Sequence, residues 1–304
     1  ADLELGGNND FELQMNVKNH CMSAGCIWYV KDEEYGGIVD NVKVDTEKSK
    51  VYYSGRSWRG VLEKKVIRPD TGKDYLVVSG DANDILALLI KRCDLVDLFA
   101  VPGTSSGIQI SSYQFPRYID AYSGIVKMLS SVSAKLKIVY NDKDSCVNIS
   151  AVPISDLSEK YEYYDDYGMK IIIEKKTGGV NHLICLGAGE LEQRQQVDLY
   201  AWPDGSIQKE RYYTGIDLIE QYYENTTVDT LVELEEEGRK KLEELMNYKQ
   251  LKISVDDTDL ELGDIVGGRE RITNIYMAAP VIRKIVDVTG RGRVNITYKL
   301  KGEE

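Results

Sequence analysis

Apolar and polar positions alternate over about the first seventy residues. FELQMNV (11–17), CIWYVK (26–31), GGIVDNVKV (36–44) and KVYYSGR (50–56) are short runs rich in β-branched and aromatic side chains, with Gly, Asn and Asp clusters between them. That pattern predicts antiparallel strands joined by turns. The period then changes. Ser57 is a good N-cap, and Trp58, Val61, Leu62, Lys65 and Val66 follow at helical spacing. Pro69 withholds a backbone donor and crowds the residue before it, which ends this helix.

From about 75 to 178 helices alternate with strands. DANDILALLIKRC (81–93), with Asp81 as cap, is apolar on nearly all sides and reads as a buried helix. GIQISSYQF (107–115), KLKIVYND (135–142) and CVNISAVPI (146–154) read as strands, and DAYSGIVKMLSSVSA (120–134) as a helix. The mixture suggests a small α/β domain following a β domain. EKYEYYDDYGM (159–169) reads as a surface loop or short strand ahead of KIIIEKK (170–176).

NHLICLG (181–187), QQVDLYAW (195–202) and RYYTGI (211–216) are strand-like again, with a turn at PDGS (203–206). TVDTLVELEEEGRKKLEELMNY (227–248) predicts one strong helix, capped by Thr227 or Asp229, with Glu early and Lys and Arg later. LKISVDD, GDIVGG, ERITNIYM, VIRKIVDV and RVNITYKL then make a closing run of short strands, the pattern of a second small barrel or sandwich. The pattern is thus α+β and β-rich: a β domain, an inserted α/β domain, one long helix in the C-terminal half and the closing barrel or sandwich.

Composition narrows what such a chain does. Its 50 acidic against 38 basic residues give a net charge of −12, which argues against a dedicated nucleic-acid binder. No run approaches the ~20 apolar residues that span a bilayer. ADLELGGNNDFELQ has neither a basic nor an apolar signal segment, so synthesis in the cytoplasm without a signal peptide is expected. Cys21, Cys26, Cys93, Cys146 and Cys185 are too sparse for a disulfide framework and are expected as free thiols. With 21 Tyr against 3 Phe and 3 Trp, the chain favours rings with a polar tip, as on half-exposed strands or wet interfaces.

Each candidate for chemistry meets a plainer reading. LGAGEL (186–191) has Gly-x-Gly after a strand, but Glu192 stands where a dinucleotide turn needs a small residue, so it reads as a turn. His182 and Cys185 are three apart, which on a strand points them to opposite faces; His20 next to Cys21 is no stronger a zinc signal. DDTDLELGD (256–264) and YYDDY (163–167) lack the Gly and Glu of a calcium loop. GTSSG (103–107) sits in a loop without the strand-to-helix elbow of a serine nucleophile. No catalytic constellation is found, and no cofactor or metal is expected.

The order of the pieces carries more. SGRSWRGVLEKKVI (54–67), FPRYIDAYSGIVKMLSSVSAKLKI (115–138), GGVNHLICLGAGELEQR (178–194), DLYAWPDGSI (198–207) and LELGDIVGGRERI (260–272) together resemble tail-hub proteins, the tail-tip proteins of long-tailed bacteriophages and prophages. That family is related in fold to the hub of contractile-tailed phages and to the N-terminal part of tail-associated lysins. The resemblance covers essentially the whole chain. It implies a first β-barrel-like domain at 1–74 with a short helix, an inserted α/β domain at 75–178, return strands to the first barrel at 179–226, and the helix with a second barrel at 227–304.

It further implies a non-enzymatic virion structural protein at the tail tip: a homotrimeric baseplate hub ring at the distal end of the tail tube. Its expected partners are further copies of itself, the tail tube, the distal tail protein and the tape-measure protein, without specific nucleic-acid binding or membrane insertion. The alternative is a tail-tip protein that degrades cell wall or binds a receptor or carbohydrate, for which the acidic clusters and the tyrosines speak. Within SGRSWRGVLEKKVIRP (54–69), Trp58 is the expected core anchor, packed with Val61, Leu62 and Val66 on the barrel. Arg56, Arg59, Lys64 and Lys65 are the candidate subunit-interface residues, either meeting carboxylates of another copy or forming a solvated face with an Arg59–Glu63 pair.

Overall fold

The computed structural model describes residues 1–158, 169–175, 178–203, 205–228, 230–246, 249–255, 260–269, 276–290 and 294–300. They fall into two units, Ala1–Ile172 with Leu251–Glu303, and Ile173–Gln250.

The first unit opens with β1 (Asp2–Leu5), β2 (Asp10–Asn16), β3 (Ile27–Tyr29), β4 (Gly36–Asp45) and β5 (Lys50–Ser57). Leu3, Leu5, Phe11, Leu13, Val51 and Tyr53 are buried and their neighbours are not, so the alternation in the sequence is the alternation across the sheet. β5 runs into the one-and-a-half-turn helix α1 (Trp58–Glu63). Next come β6 (Val77–Asp81), α2 (Ala82–Arg92), β7 (Phe99–Ala100), β8 (Gln109–Gln114), α3 (Ala121–Ser130), β9 (Ala134–Asn141) and β10 (Cys146–Pro153). β9 and β10 form an antiparallel pair to which β7 adds in parallel, and β6 pairs with β8. Leu86, Leu89, Ile125, Met128, Leu136 and Ile149 build one apolar core between these strands and α2 and α3.

After β11 (Met169–Lys175) the second unit carries β12 (His182–Leu186), β13 (Gln196–Ala201), β14 (Ile207–Gln208) and β15 (Glu220–Glu224), in the order β14-β13-β12-β15, and then α4 (Leu231–Leu245). Leu234, Gly238 and Leu242, one turn apart each, lie on Leu183, Cys185, Leu199 and Ala201. Thr230 caps α4 by accepting from the Glu233 amide at 3.3 Å.

β16 (Lys249–Val255), β17 (Ile265–Arg269), β18 (Tyr276–Val288) and β19 (Val294–Leu300) close the chain. They extend the first sheet: β1 pairs antiparallel with β18, Leu3 facing Val286 in register, giving the order β11-β16-β19-β18-β1-β2-β5-β4-β3 with β17 on β18.

Several expectations change here. Among the described residues no closed barrel forms. Instead, strands expected in two barrels run together, because the N-terminal strand β1 is the partner of β18. The strands of 179–226 pair with one another and share a core with α4, since their buried face is filled by that helix. RYYTGI is not a strand: Gly215, at φ +59°, turns the chain there, and the strand comes later at 220–224. Residues 159–168 and 270–275, which hold YYDDY and most of ERITNIYM, lie outside the described residues.

Candidate assembly surface

The segment 54–69 distributes its side chains between the interior and the surface. Ser57 caps α1 and also donates its hydroxyl to the Asn9 carbonyl at 2.8 Å. α1 is covered on both sides, with Trp58, Arg59, Gly60, Val61 and Leu62 all buried. The close approach depends on two glycines: a Cβ on Gly60 would lie 2.3 Å from the Asn9 carbonyl oxygen, and one on Gly36 would lie 2.5 Å from the Trp58 ring.

Trp58 is fully buried and stacks on Tyr140 at 5.9 Å, which in turn stacks on Tyr29 at 3.7 Å. Its core is the one shared with α2, α3, β9 and β10, so α1 belongs to the packing of the α/β part rather than to a barrel. The indole Nε1 has no hydrogen-bond partner among the described residues, so packing alone holds the ring. Val66, expected in the same stripe, is exposed, because α1 ends at Glu63 and the chain straightens beyond it.

The four basic residues separate into three kinds. Arg59 is not at a surface. It is 3 % exposed, ion-paired with Glu34, donates to Tyr122 Oη and the Leu136 carbonyl at 3.4 Å each, and lies over the Tyr122 ring. The expected Arg59–Glu63 pair is absent; Glu63 instead accepts from Asn9 Nδ2 at 3.3 Å. Burial opposes the Arg59 charge, yet Glu34 and Tyr122 outweigh it and hold the guanidinium firmly protonated. Arg56 is at the surface but committed to its own chain, gripping both oxygens of Asp40 at 2.7 and 2.8 Å. That grip holds the Asp40 carboxyl below its ordinary range.

Lys64 and Lys65 have no carboxylate partner among the described residues. With Val66, Ile67 and Arg68 they line one side of a pocket of about 420 Å³, and Leu89, Arg92 and Cys93 from the end of α2 line the other. The wall is fixed: the Lys65 carbonyl accepts from the Ala121 amide at 2.8 Å and the Ile67 amide donates to the Ile119 carbonyl at 2.8 Å. Arg92 donates to the Arg68 carbonyl at 3.0 Å and pairs with Asp70 at 2.8 Å. No carboxylate lines the pocket. Cys93 feels the setting, its thiol raised by burial and partly drawn back by Lys65 and Arg92.

Several of the other motifs have structural roles. The GTSSG loop wraps Asp81, whose carboxylate accepts from Ser105 Oγ at 2.7 Å, Ser106 N and Oγ at 3.0 Å and Gly107 N at 3.1 Å. Those donors, led by Ser105, hold the Asp81 carboxyl far below its ordinary range. The hydroxyls therefore finish the α2 cap. His182 stacks on Tyr200 and has a carboxylate oxygen at each ring nitrogen, Glu220 at 2.7 Å and Asp198 at 2.8 Å. Cys185 points the other way, into the core under α4, where burial raises its thiol to about 11. His20 Nδ1 meets Tyr53 Oη at 2.7 Å. Glu261 and Asp264, from the DDTDLELGD segment, both pair with the buried Lys135 at 2.6 Å. Among the described residues no three His, Cys, Asp or Glu groups gather as metal ligands, and no helix is long and apolar enough to cross a membrane.

No protein-family model matches the chain, and no curated protein does. Solved structures do. The prophage tail protein gp18 from Listeria monocytogenes EGD-e superposes with a TM-score of 0.50 at 12 % identity, over 100 % of this chain and 88 % of that one. The chain has the fold of a phage tail protein. Two further tail proteins are similar at 12 % identity and TM-scores of 0.48. One is from Neisseria meningitidis MC58, covering 98 % of this chain and 90 % of that one; the other is the 43 kDa tail protein of prophage MuSo2 from Shewanella oneidensis, covering 95 % and 88 %.

Proposed function

We propose that the chain is a structural protein of a phage or prophage tail that forms a trimeric hub ring at the distal end of the tail tube. The observation that carries this reading is the superposition of the whole chain on a prophage tail protein along most of that protein's length. The first sheet then holds β1–β5 and the closing strands β16–β19, which the tail-hub resemblance divides between a first and a second barrel-like domain, and copies meeting around an axis complete the ring. The role is assembly rather than catalysis: the serines of GTSSG are spent on Asp81, and His182 is spent between two carboxylates. As a virion component at the tail tip, the ring joins the tube, the distal tail protein, the tape-measure protein and the tip.

Deleting the gene from the producing phage or prophage tests this. Particles lacking the chain are expected to be non-infectious, with tails absent or open at the distal end in negative-stain micrographs. Infectious particles with normal tail tips in its absence would overturn the proposal.

A further inference from the structure

The pocket between the segment that follows α1 and the end of α2 stands out from the charge of the chain. Four of its eight lining residues are Lys64, Lys65, Arg68 and Arg92, and none is acidic, in a protein with 50 acidic and 38 basic residues. Arg92 is paired with Asp70, whereas Lys64, Lys65 and Arg68 have no carboxylate partner among the described residues. The floor is apolar, formed by Ile67, Leu89 and Cys93. A cationic rim over an apolar floor fits a protein segment that brings carboxylates and an aliphatic side chain together. A nucleic-acid backbone instead calls for a long cationic track that neutralises many phosphates, and this is a single recess.

The chain carries a surface of that complementary kind. The first turns of α4 expose Leu231 and Val232 at 52 % and 68 %. Glu233 stands beside them, and Glu236 lies one turn on from Val232 on the same face. The glutamates further inward are occupied: Glu235 pairs with Lys209 and Arg239, and Glu237 accepts from Tyr223 and Asn225. Glu236 has no cationic partner among the described residues.

We infer that the Lys64–Lys65–Arg68–Arg92 pocket of one copy receives the Val232–Glu236 face of α4 from a second copy. The two surfaces are different parts of the chain, so the contact is head-to-tail, and such contacts close into rings when the rotation between copies closes. This inference rests on the self-assembling ring proposed above and names the surfaces that join it.

Sedimentation velocity of the full chain over a range of concentrations and salt provides the test. The wild-type protein is expected to self-associate, less at high salt, because exposed ion pairs are screened. K64E/R68E and V232K/E236K should each weaken association by at least about tenfold, since like charges then face each other at the contact. All four changes are at exposed positions, so each variant should keep the wild-type circular dichroism melt. Combining K64E/R68E with E233K/E236K should recover association by exchanging the charges. Association that ignores both reversals overturns the pocket assignment and leaves the ring reading standing. A wild-type protein that stays monomeric throughout overturns both. A double-stranded DNA oligonucleotide that binds the wild type and not K64E/R68E, with self-association untouched, would give the pocket to nucleic acid instead.

Discussion

Gly238→Ala has a sign that the structure reverses. In an open helix interior this change stabilises by about 0.5–1 kcal/mol, because alanine loses less backbone freedom on folding. Gly238 lies on the buried face of α4, where an added Cβ would come 2.4 Å from Cys185 Sγ and 2.9 Å from Leu199 Cδ1. The leucine methyl can turn aside, but the thiol sits on β12 with no exposed surface. Overpacking of this kind costs ~1–3 kcal/mol, so the net effect should be a destabilisation of about 0.5–2 kcal/mol. Cys185→Ala removes the clashing sulfur and leaves its Cβ at 3.5 Å, an ordinary contact. In that background Gly238→Ala should become neutral or stabilising, a coupling of about 1–3 kcal/mol. Hydrogen exchange by mass spectrometry on peptides covering β12 and β13 reads this unit alone, which matters because a chain of two units need not unfold in one step. Faster exchange in the single variant and restored exchange in the double variant are expected. Slower exchange in Gly238→Ala alone would refute the packing argument.

Three further outcomes follow from the same geometry. Arg59→Ala should destabilise the first unit by about 3–5 kcal/mol in urea unfolding, since it leaves Glu34 without its cation; a variant of unchanged stability would return Arg59 to the surface. Stability should fall in acid: Asp81, through its hydroxyl and amide donors, and Glu261, through Lys135 against the pull of burial, have folded-state values below the unfolded range. Their contribution is complete above the ordinary carboxylate range near ~4 and is lost as pH falls through the folded values, so D81N should flatten the acid limb of the stability curve. Native thiol titration should label Cys26, lowered by its Ser23 hydrogen bond, and exposed Cys21 first, and Cys185, raised to about 11, last; early labelling of Cys185 would contradict the α4 packing.

Local structure was legible in the sequence where one signal dominated. The capping residues Ser57 and Asp81 stand where the spacing placed them, and β2 and β5 follow their apolar alternation. β1 was missed because four residues before Gly6 carry too little pattern, and it pairs with a strand some 280 positions away. β15 was missed because all but one of its residues are exposed, so no face announces itself. α4 begins at Leu231 behind Thr230, a few residues later than Thr227. Arg59 was placed outward on a helix assumed to have one buried face; α1 is covered on both, and charge says nothing of a partner such as Glu34, 25 positions earlier. Lys64 and Lys65 stand out in the sequence as neighbouring basic residues, whereas Arg92 joins them only through the fold that brings the end of α2 to the segment after α1.

The central claim is that this chain closes the distal end of a phage tail as a trimeric ring. A cryo-EM reconstruction of tails purified from the producing strain tests it most directly. Three copies, resolved as a ring on the last layer of tail-tube subunits with the pocket beside α1 at the contact between neighbours, are the predicted result. Tails whose distal end is built without this chain, or that hold it as single copies elsewhere, would contradict the account.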